Sequence, residues 1–344
     1  MSQEMKVIVI DAMGGDHAPE APVKGAVRAL SEHSDIKIVL TGDENVIREQ
    51  LAGCDYDEER LEIHPTTQVI ENEEESPVDA IRKKKDSSMV VGLTMVKNKE
   101  ADGIVSAGNT GAYLAGATFV VGRIKGVVRP ALTIGIPTGG TPTLLLDAGA
   151  NMDCKPQYLM QFARMADAYC RNLYGVKEPK IGLLNVGVES HKGNAVVKET
   201  YGLLKEAEDL NFAGNCEARE VFSGDFHVVV TDGFAGNVLV KGLEGVASYM
   251  LGGLKKGLMS SLRGKIGGLL VKPSLMKVKD QLDPRAVGGC PLLGVKGAVI
   301  KAHGNSREDA IANAVSQCLT FINTGVNEEI EERMKKDTEE AKNE

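Results

Sequence analysis

Short apolar runs alternate with longer stretches of helical periodicity along most of the chain. Runs rich in Val, Ile and Leu predict strands at 6–10, 36–40, 103–106, 131–136, 143–147, 180–186, 227–231 and 298–302. Between most of them, apolar residues recur every three to four positions over 19–32, 76–98, 109–121, 155–172, 193–209 and 306–322, which predicts helices. In 155–172 the recurring residues include Leu159, Phe162, Met165, Ala166 and Tyr169, with Asp153 as the expected cap. Strand-then-helix alternation on this scale predicts an α/β fold, a three-layer α/β/α arrangement around a mostly parallel sheet. No repeat or low-complexity linker divides the chain, so residues 1–327 are expected as one large unit, whether a single body or two lobes.

The loops leaving the strands change the picture from architecture to chemistry. Asp11-Ala-Met-Gly-Gly-Asp-His17 leaves the first strand, and Ser106-Ala-Gly-Asn-Thr-Gly-Ala112 leaves the run at 103–106. Asp147-Ala-Gly-Ala-Asn151, Gly187-Val-Glu-Ser-His-Lys-Gly-Asn194, Asp232-Gly-Phe-Ala-Gly-Asn237 and His303-Gly-Asn-Ser306 leave later ones. A single such loop is a turn. Six on one predicted sheet edge imply a polar, glycine-lined cleft, with helix N-termini offering N–H groups to an anion such as phosphate.

Composition narrows the class. Charged residues at 26% and hydrophobic ones at 42% fit a globular protein, and no apolar run reaches the ~20 residues of a bilayer span. Met1–Lys6 is too short and polar to be expected as a signal peptide. The six cysteines never form C-x-x-C, which argues against a zinc ribbon and a disulfide framework and for reduced thiols. The phosphate-loop and dinucleotide glycine signatures, H-E-x-x-H and G-x-S-x-G are all missing, so no metal site and no cofactor is expected. Of the net charge of −8, residues 328–344 supply −4, which predicts a solvated tail. Gly245–Lys279 holds seven bases and no acid, with Met250, Leu251, Leu254, Leu258 and Leu262 at helical spacing. That pattern predicts a basic amphipathic segment at 245–280.

The order of the motifs resembles one family. "DAMGGDHAPE" at 11–20, "RKKKDSSMVVGL" at 82–93, "SAGNTGA" at 106–112, "RPAL" at 129–132 and "DAGAN" at 147–151 look like the bacterial phosphate acyltransferases of the PlsX family. So do "LLNVGVESHKGN" at 183–194, "GNCEARE" at 214–220, "VVVTDGFAGNVLVK" at 228–241 and "CPLLGVKGAVIKAHG" at 290–304. The resemblance implies a fold like the isopropylmalate dehydrogenase and phosphotransacetylase group. It implies transfer of an acyl group from acyl–acyl carrier protein to inorganic phosphate. The acyl phosphate formed would feed phospholipid synthesis through a membrane glycerol-3-phosphate acyltransferase. A homodimer in the cytoplasm, peripherally attached to the membrane and without nucleic-acid partners, is implied too.

The matching motifs carry the site residues. Asp16, His17, Lys192 and His303 are the catalytic candidates, with Asp16 expected to orient His17. Asp11, Gly14, Gly15, Ser106, Asn109, Thr110, Asn185, Asn194, Asp232 and Asn237 are candidates for phosphate or substrate binding. Asp11, Ser106, Asn109 and Thr110 can also be read as caps of their turns and helices. Cys290 stands where many members carry a small residue, so it is not expected as a nucleophile; Val188 replaces a frequent acid, leaving Glu189 as that loop's carboxylate. Arg82, Lys83, Lys84 and Lys85 suit an acidic carrier protein or a solvated helix face. Leu254, Lys255, Leu258, Leu262 and Arg263 suit a membrane surface or a packed dimer helix. Other classes stay open: a phosphotransacetylase-like enzyme using acyl-coenzyme A, a nicotinamide dehydrogenase, or a non-catalytic membrane scaffold.

Overall fold

Four β-branched residues in a row, Val7 to Ile10, form the middle of β1 (Lys6–Asp11), paired in parallel on both sides. Ile8 and Ile10 enter one core and Val9 the other, as the two-residue period of a strand requires. Residues 5–282 and 288–343 are described in the computed structural model, with 276–282 and 336–343 described by their backbone alone. Lys277, Lys279 and the end of the charged tail therefore lie outside the described side chains.

After β1 come α1 (Glu20–Glu32), β2 (Ile36–Gly42), α2 (Glu44–Leu51), β3 (Leu61–Pro65), α3 (Pro77–Lys83), α4 (Ser88–Asn98), β4 (Gly103–Ser106) and α5 (Thr110–Gly116). The chain continues through β5 (Ala131–Ile136), β6 (Thr143–Leu146), α6 (Pro156–Tyr174), β7 (Ile181–Asn185), α7 (Ala195–Glu206), β8 (Phe212–Glu217) and β9 (Val228–Val230). Last are α8 (Gly233–Met259), α9 (Leu262–Leu282), β10 (Cys290–Leu293), β11 (Ala298–Lys301), α10 (Glu308–Thr324) and α11 (Val326–Asn343).

All these strands join one sheet in the order β3-β2-β1-β4-β11-β10-β5-β6-β9-β7-β8. From β3 to β11 the strands are parallel. β10 is antiparallel to both β11 and β5, and β5 is antiparallel to β6, after which β6, β9, β7 and β8 are parallel again. Counting the reversals, β6, β9, β7 and β8 run opposite to β1, β4 and β11. The fold class is the expected three-layer α/β/α with a mostly parallel sheet. One apolar layer holds α1, α2, α6, α7, α10 and α11, through residues such as Val23, Ile47, Phe162, Leu204, Ile311 and Ile330. The other holds α3, α4 and α5 over the first half and α8 over the second, leaving a gap above β10 and β5.

Local chemistry explains where the predicted helices differ. The stretch 76–98 is two helices, because Ser87 accepts a hydrogen bond from Val90 N and caps α4 while Ser88 N donates to the Gln68 carbonyl. Asp153 does not cap α6; Lys155 precedes it and Pro156 opens it, where a missing N–H costs nothing. The predicted helix 109–121 passes from α5 into a π-helical turn, Ala117–Val121, and ends at Gly122 with φ +93°. The expected solvated tail is instead packed over its first part. Ile330 and Met334 are buried in the same apolar layer as α6, and Arg333 donates to the buried Asp167 of α6 at 2.8 Å.

Candidate active site

The reversal of strand direction divides the six glycine loops, which were expected on one edge. Those after β1, β4 and β11 share one edge; those after β6, β7 and β9 lie at the other. The first set brings together most of the polar groups expected in the catalytic machinery.

At the floor of that first edge, Asp11, Ser106 and Lys301 end three neighbouring strands with their side chains buried. Ser106 donates to Asp11 Oδ2 at 2.7 Å and accepts from Gly108 N at 3.1 Å. Burial pushes the Asp11 carboxyl up, opposed by hydrogen bonds from Ser88 and Ser106 and by the charge of Lys301. Burial also depresses the Lys301 ammonium to about 8, opposed by Cys290, Asp11 and Asp16. Lys301 Nζ donates to the Ala302 carbonyl, and its charge is felt by both Asp11 and Asp16.

Above this floor the Gly14-Gly15 turn fits only without side chains. A Cβ on Gly14 would lie 2.5 Å from Asp11 Oδ2 and 2.8 Å from Gly108 N; Gly15 has φ +105° and faces the Ala107 Cβ at 2.8 Å. Asp16 N donates to the Gly304 carbonyl at 2.8 Å, tying the β1 loop to the β11 loop. Asp16 was expected to orient His17; its Oδ1 accepts from Asn72 Nδ2 at 2.9 Å. His17 Nε2 instead sits 2.6 Å from Asn305 Oδ1, an oxygen that only accepts, so this nitrogen carries the proton. Asn305 N in turn donates to His303 Nδ1 at 3.1 Å. Asn109 caps α5 by accepting from Ala112 N at 2.9 Å, and its amide donates to the Asn72 carbonyl at 2.8 Å. Thr110 is exposed at the first turn of α5.

The other edge reads more structurally. The Asp147 carboxylate is buried and accepts from Leu132 N, Gly149 N, Ala150 N, Asn151 N and Asn151 Nδ2 at 2.7–3.1 Å, binding β5 to β6. Asn194 caps α7 through Val197 N at 2.9 Å, and Asp232 caps α8 through Ala235 N at 2.7 Å. Asn185 donates to the Lys192 carbonyl at 3.1 Å, and the Lys192 side chain is exposed. Asn237 packs against Gly149. Asn185, Asn194 and Asp232 border a largely apolar groove of about 430 Å³ that Phe234 and Val238 continue.

No group of three or more His, Cys, Asp or Glu suited to a metal occurs among the described residues. These thiols, buried at Cys170 and Cys216 and partly buried at Cys154 and Cys290, are poor nucleophiles: loss of water pushes Cys290 up to about 11 and Cys154, Cys170 and Cys216 up to about 12. Ser106 is buried and already engaged. Arg82, Lys83 and Lys85 are exposed at the end of α3, whereas Lys84 is held by Glu74 at 3.0 Å. On the α8–α9 hairpin Leu254, Lys255, Leu262 and Arg263 are exposed, and Leu258 is half-buried beneath Gly264 and Gly268 of α9.

Sequence reasoning missed Lys301, Asn72 and Asn305. Lys301 had a signal, a lone cation closing the apolar run "GAVIK"; Asn72 lies in an acidic loop that carries none.

Comparison with known proteins adds to this geometry. A family model described as "Fatty acid synthesis protein" matches residues 6–329. The phosphate acyltransferase of Clostridioides difficile (strain 630) is 49% identical over 337 residues, 98% of each chain. Two solved structures share the fold: a phosphotransacetylase from Streptococcus pyogenes and a 4-hydroxythreonine-4-phosphate dehydrogenase from Klebsiella pneumoniae. The first aligns at a TM-score of 0.58 and 14% identity over 94% of this chain and 95% of its own. The second aligns at 0.53 and 11% identity over 93% and 98%. With its motifs, its fold and nearly its whole length in agreement, the chain belongs to the phosphate acyltransferase family whose sequence features it carries, the PlsX family.

Proposed function

We propose that this phosphate acyltransferase moves an acyl group from the thioester of acyl–acyl carrier protein onto inorganic phosphate, at the edge where Asp11, Ser106 and Lys301 converge. A phosphate oxygen attacks the thioester carbonyl, the new C–O bond forms, and the C–S bond breaks. The thiolate leaves, takes a proton and returns as free carrier protein. The leaving thiol has a pKa of ~8.5, so it departs without strong acid help. What the protein supplies is placement and fixed positive charge.

The observation that carries this reading is the buried Lys301, paired in register with Ser106 on the strand next to the one that ends in Asp11 and the Gly14-Gly15 turn, with no activated Ser or Cys nucleophile beside it among the described residues. Lys301 holds the phosphate, and the His17 Nε2–H at the rim exchanges Asn305 for a phosphate or thioester oxygen when substrate binds. Asp16, Asn109, Thr110 and His303 border the same space. Lys192, Asn185, Asn194, Asp232 and Asn237, at the far edge, serve the acyl end or the frame. The exposed Arg82, Lys83 and Lys85 attract the acidic carrier protein. The exposed apolar and basic side chains of the α8–α9 hairpin support peripheral membrane contact, alongside a homodimer; no described helix is long and apolar enough to cross a membrane. The acyl phosphate then enters phospholipid synthesis at the membrane.

The test is thiol release from long-chain acyl–acyl carrier protein and from acyl-coenzyme A, with and without inorganic phosphate, for wild type, Lys301→Met and His17→Ala. Phosphate-dependent release favouring the carrier protein, with both variants slowed, supports the reading. Release without phosphate overturns it, and a preference for coenzyme A moves the donor to the phosphotransacetylase class.

A further inference from the structure

The "RPAL" motif and the gap above β10 and β5 are unused by the reaction as drawn. The gap is a cleft of about 620 Å³, walled on one side by α5 and its π-helical continuation and on the other by Pro130, Asn151 and Tyr158. Leu292 of β10 lines it, and Val78 joins from α3. It starts at Gly111, two residues beyond Asn109 of the candidate active site, and extends to Phe119. At about 1.5 Å per step the eight steps between them span about 12 Å. The far end is cationic. The Arg129 guanidinium lies 5.9 Å from the centre of the Tyr158 ring, and no carboxylate pairs with it among the described residues. Arg123 lines the same end and donates to the Val128 carbonyl. Asn151 Nδ2 donates to the Pro130 carbonyl at 2.8 Å and fixes this wall.

We infer that this cleft receives the pantetheine arm of the acyl donor and that Arg129 binds the phosphate at the arm's end; the inference rests on the acyltransferase reading above. An amide-bearing chain with a thioester at one end and a phosphate at the other matches a passage that is apolar along its length, polar at Asn151 and cationic at its mouth. The passage opens beside the reacting groups at one end. Val78 places it on the same helix as the exposed Arg82 and Lys83, where the carrier protein itself would sit. The fatty acyl chain is the poorer occupant, since it has no use for guanidinium groups; the apolar groove beside Phe234 suits it better.

The experiment compares two soluble donors with the same acyl group, acyl-pantetheine and acyl-4′-phosphopantetheine, which differ by one phosphate. Each is assayed with inorganic phosphate and the wild type, Arg129→Ala and Arg129→Lys proteins. Losing a charge-assisted contact raises KM for the phosphorylated donor about tenfold or more in Arg129→Ala, with partial recovery in Arg129→Lys. KM for acyl-pantetheine and for inorganic phosphate stays within about twofold of wild type, because neither engages Arg129. An equal rise with both donors, or no rise with either, overturns the assignment of Arg129 and its cleft while the reaction stands. A wild-type protein that turns over neither these donors nor acyl–acyl carrier protein overturns the acyltransferase reading, and the arm site with it.

Discussion

A methyl group added at position 14 has nowhere to go, since it would meet both the Asp11 carboxylate and the Gly108 amide. Gly14→Ala must therefore displace the turn or the buried acid beneath it. The expected outcome is a kcat/KM for phosphate reduced at least about tenfold, with stability lowered by about 1–3 kcal/mol in denaturant melts. An unchanged KM for phosphate would remove this turn from the site. Lys301 gives a prediction with two opposite signs. Its ammonium is depressed to about 8 from an ordinary 10.5, so phosphate affinity falls as pH rises through about 8 and the charge is lost. In the same interval the unfolded chain still holds the proton that the folded one has released, so this group's contribution to stability rises from pH 8 towards 10.5. Phosphate KM and urea midpoint measured over about pH 7–10 read both slopes; a flat KM would deny Lys301 its role. At this scale the sequence was informative where a residue type is unusual for its place. Two glycines and two acids leaving a strand marked the turn, while Asn72 and Asn305 looked like ordinary loop residues until the fold set them against Asp16 and His17.

Most elements were legible wherever an apolar run or a helical period was long, as in β1, α6 and α10. The strands missed were β3, with Glu62 and His64 interrupting its pattern, β8, and β10, four residues that begin Cys-Pro, and the eight-residue helix α2 went unread as well. The α11 helix shows how charge obscures packing. Its acidic surface suggested a solvated tail, yet Ile330 and Met334 are buried and Arg333 meets Asp167, whose carboxylate is also held by Arg171 at 2.6 Å. Removing one partner from a buried ion network leaves charge uncompensated. Arg333→Ala is expected to cost about 3 kcal/mol of unfolding free energy while leaving phosphate KM unchanged. A loss below about 0.5 kcal/mol would mean that α11 adds nothing to the fold.

At the scale of the whole molecule, the division of the six loops was the least legible feature. Strand direction reverses through β10 and β5, and neither carries a local signature of antiparallel pairing, so the two edges looked like one. The α8–α9 hairpin was visible as a basic amphipathic stretch. Its exposed Tyr249, Leu262, Leu269 and Leu270 stand beside Lys255, Lys256 and Arg263. If it meets a membrane, each of these bases contributes about 1 kcal/mol on an anionic surface. Replacing the three by Gln should weaken sedimentation with phosphatidylglycerol vesicles about a hundredfold and leave thiol release in solution unchanged. Undiminished vesicle binding would assign the hairpin to the contact between copies of the chain instead. The central claim remains direct attack by phosphate, and a single-turnover measurement tests it most closely. Protein in excess is mixed with acyl–acyl carrier protein in the absence of phosphate, free thiol is monitored, and phosphate is then added. No thiol should appear until phosphate arrives, and acyl phosphate should then form in equal amount. A burst of thiol stoichiometric with carrier protein before phosphate is added would reveal an acyl-enzyme and contradict the account.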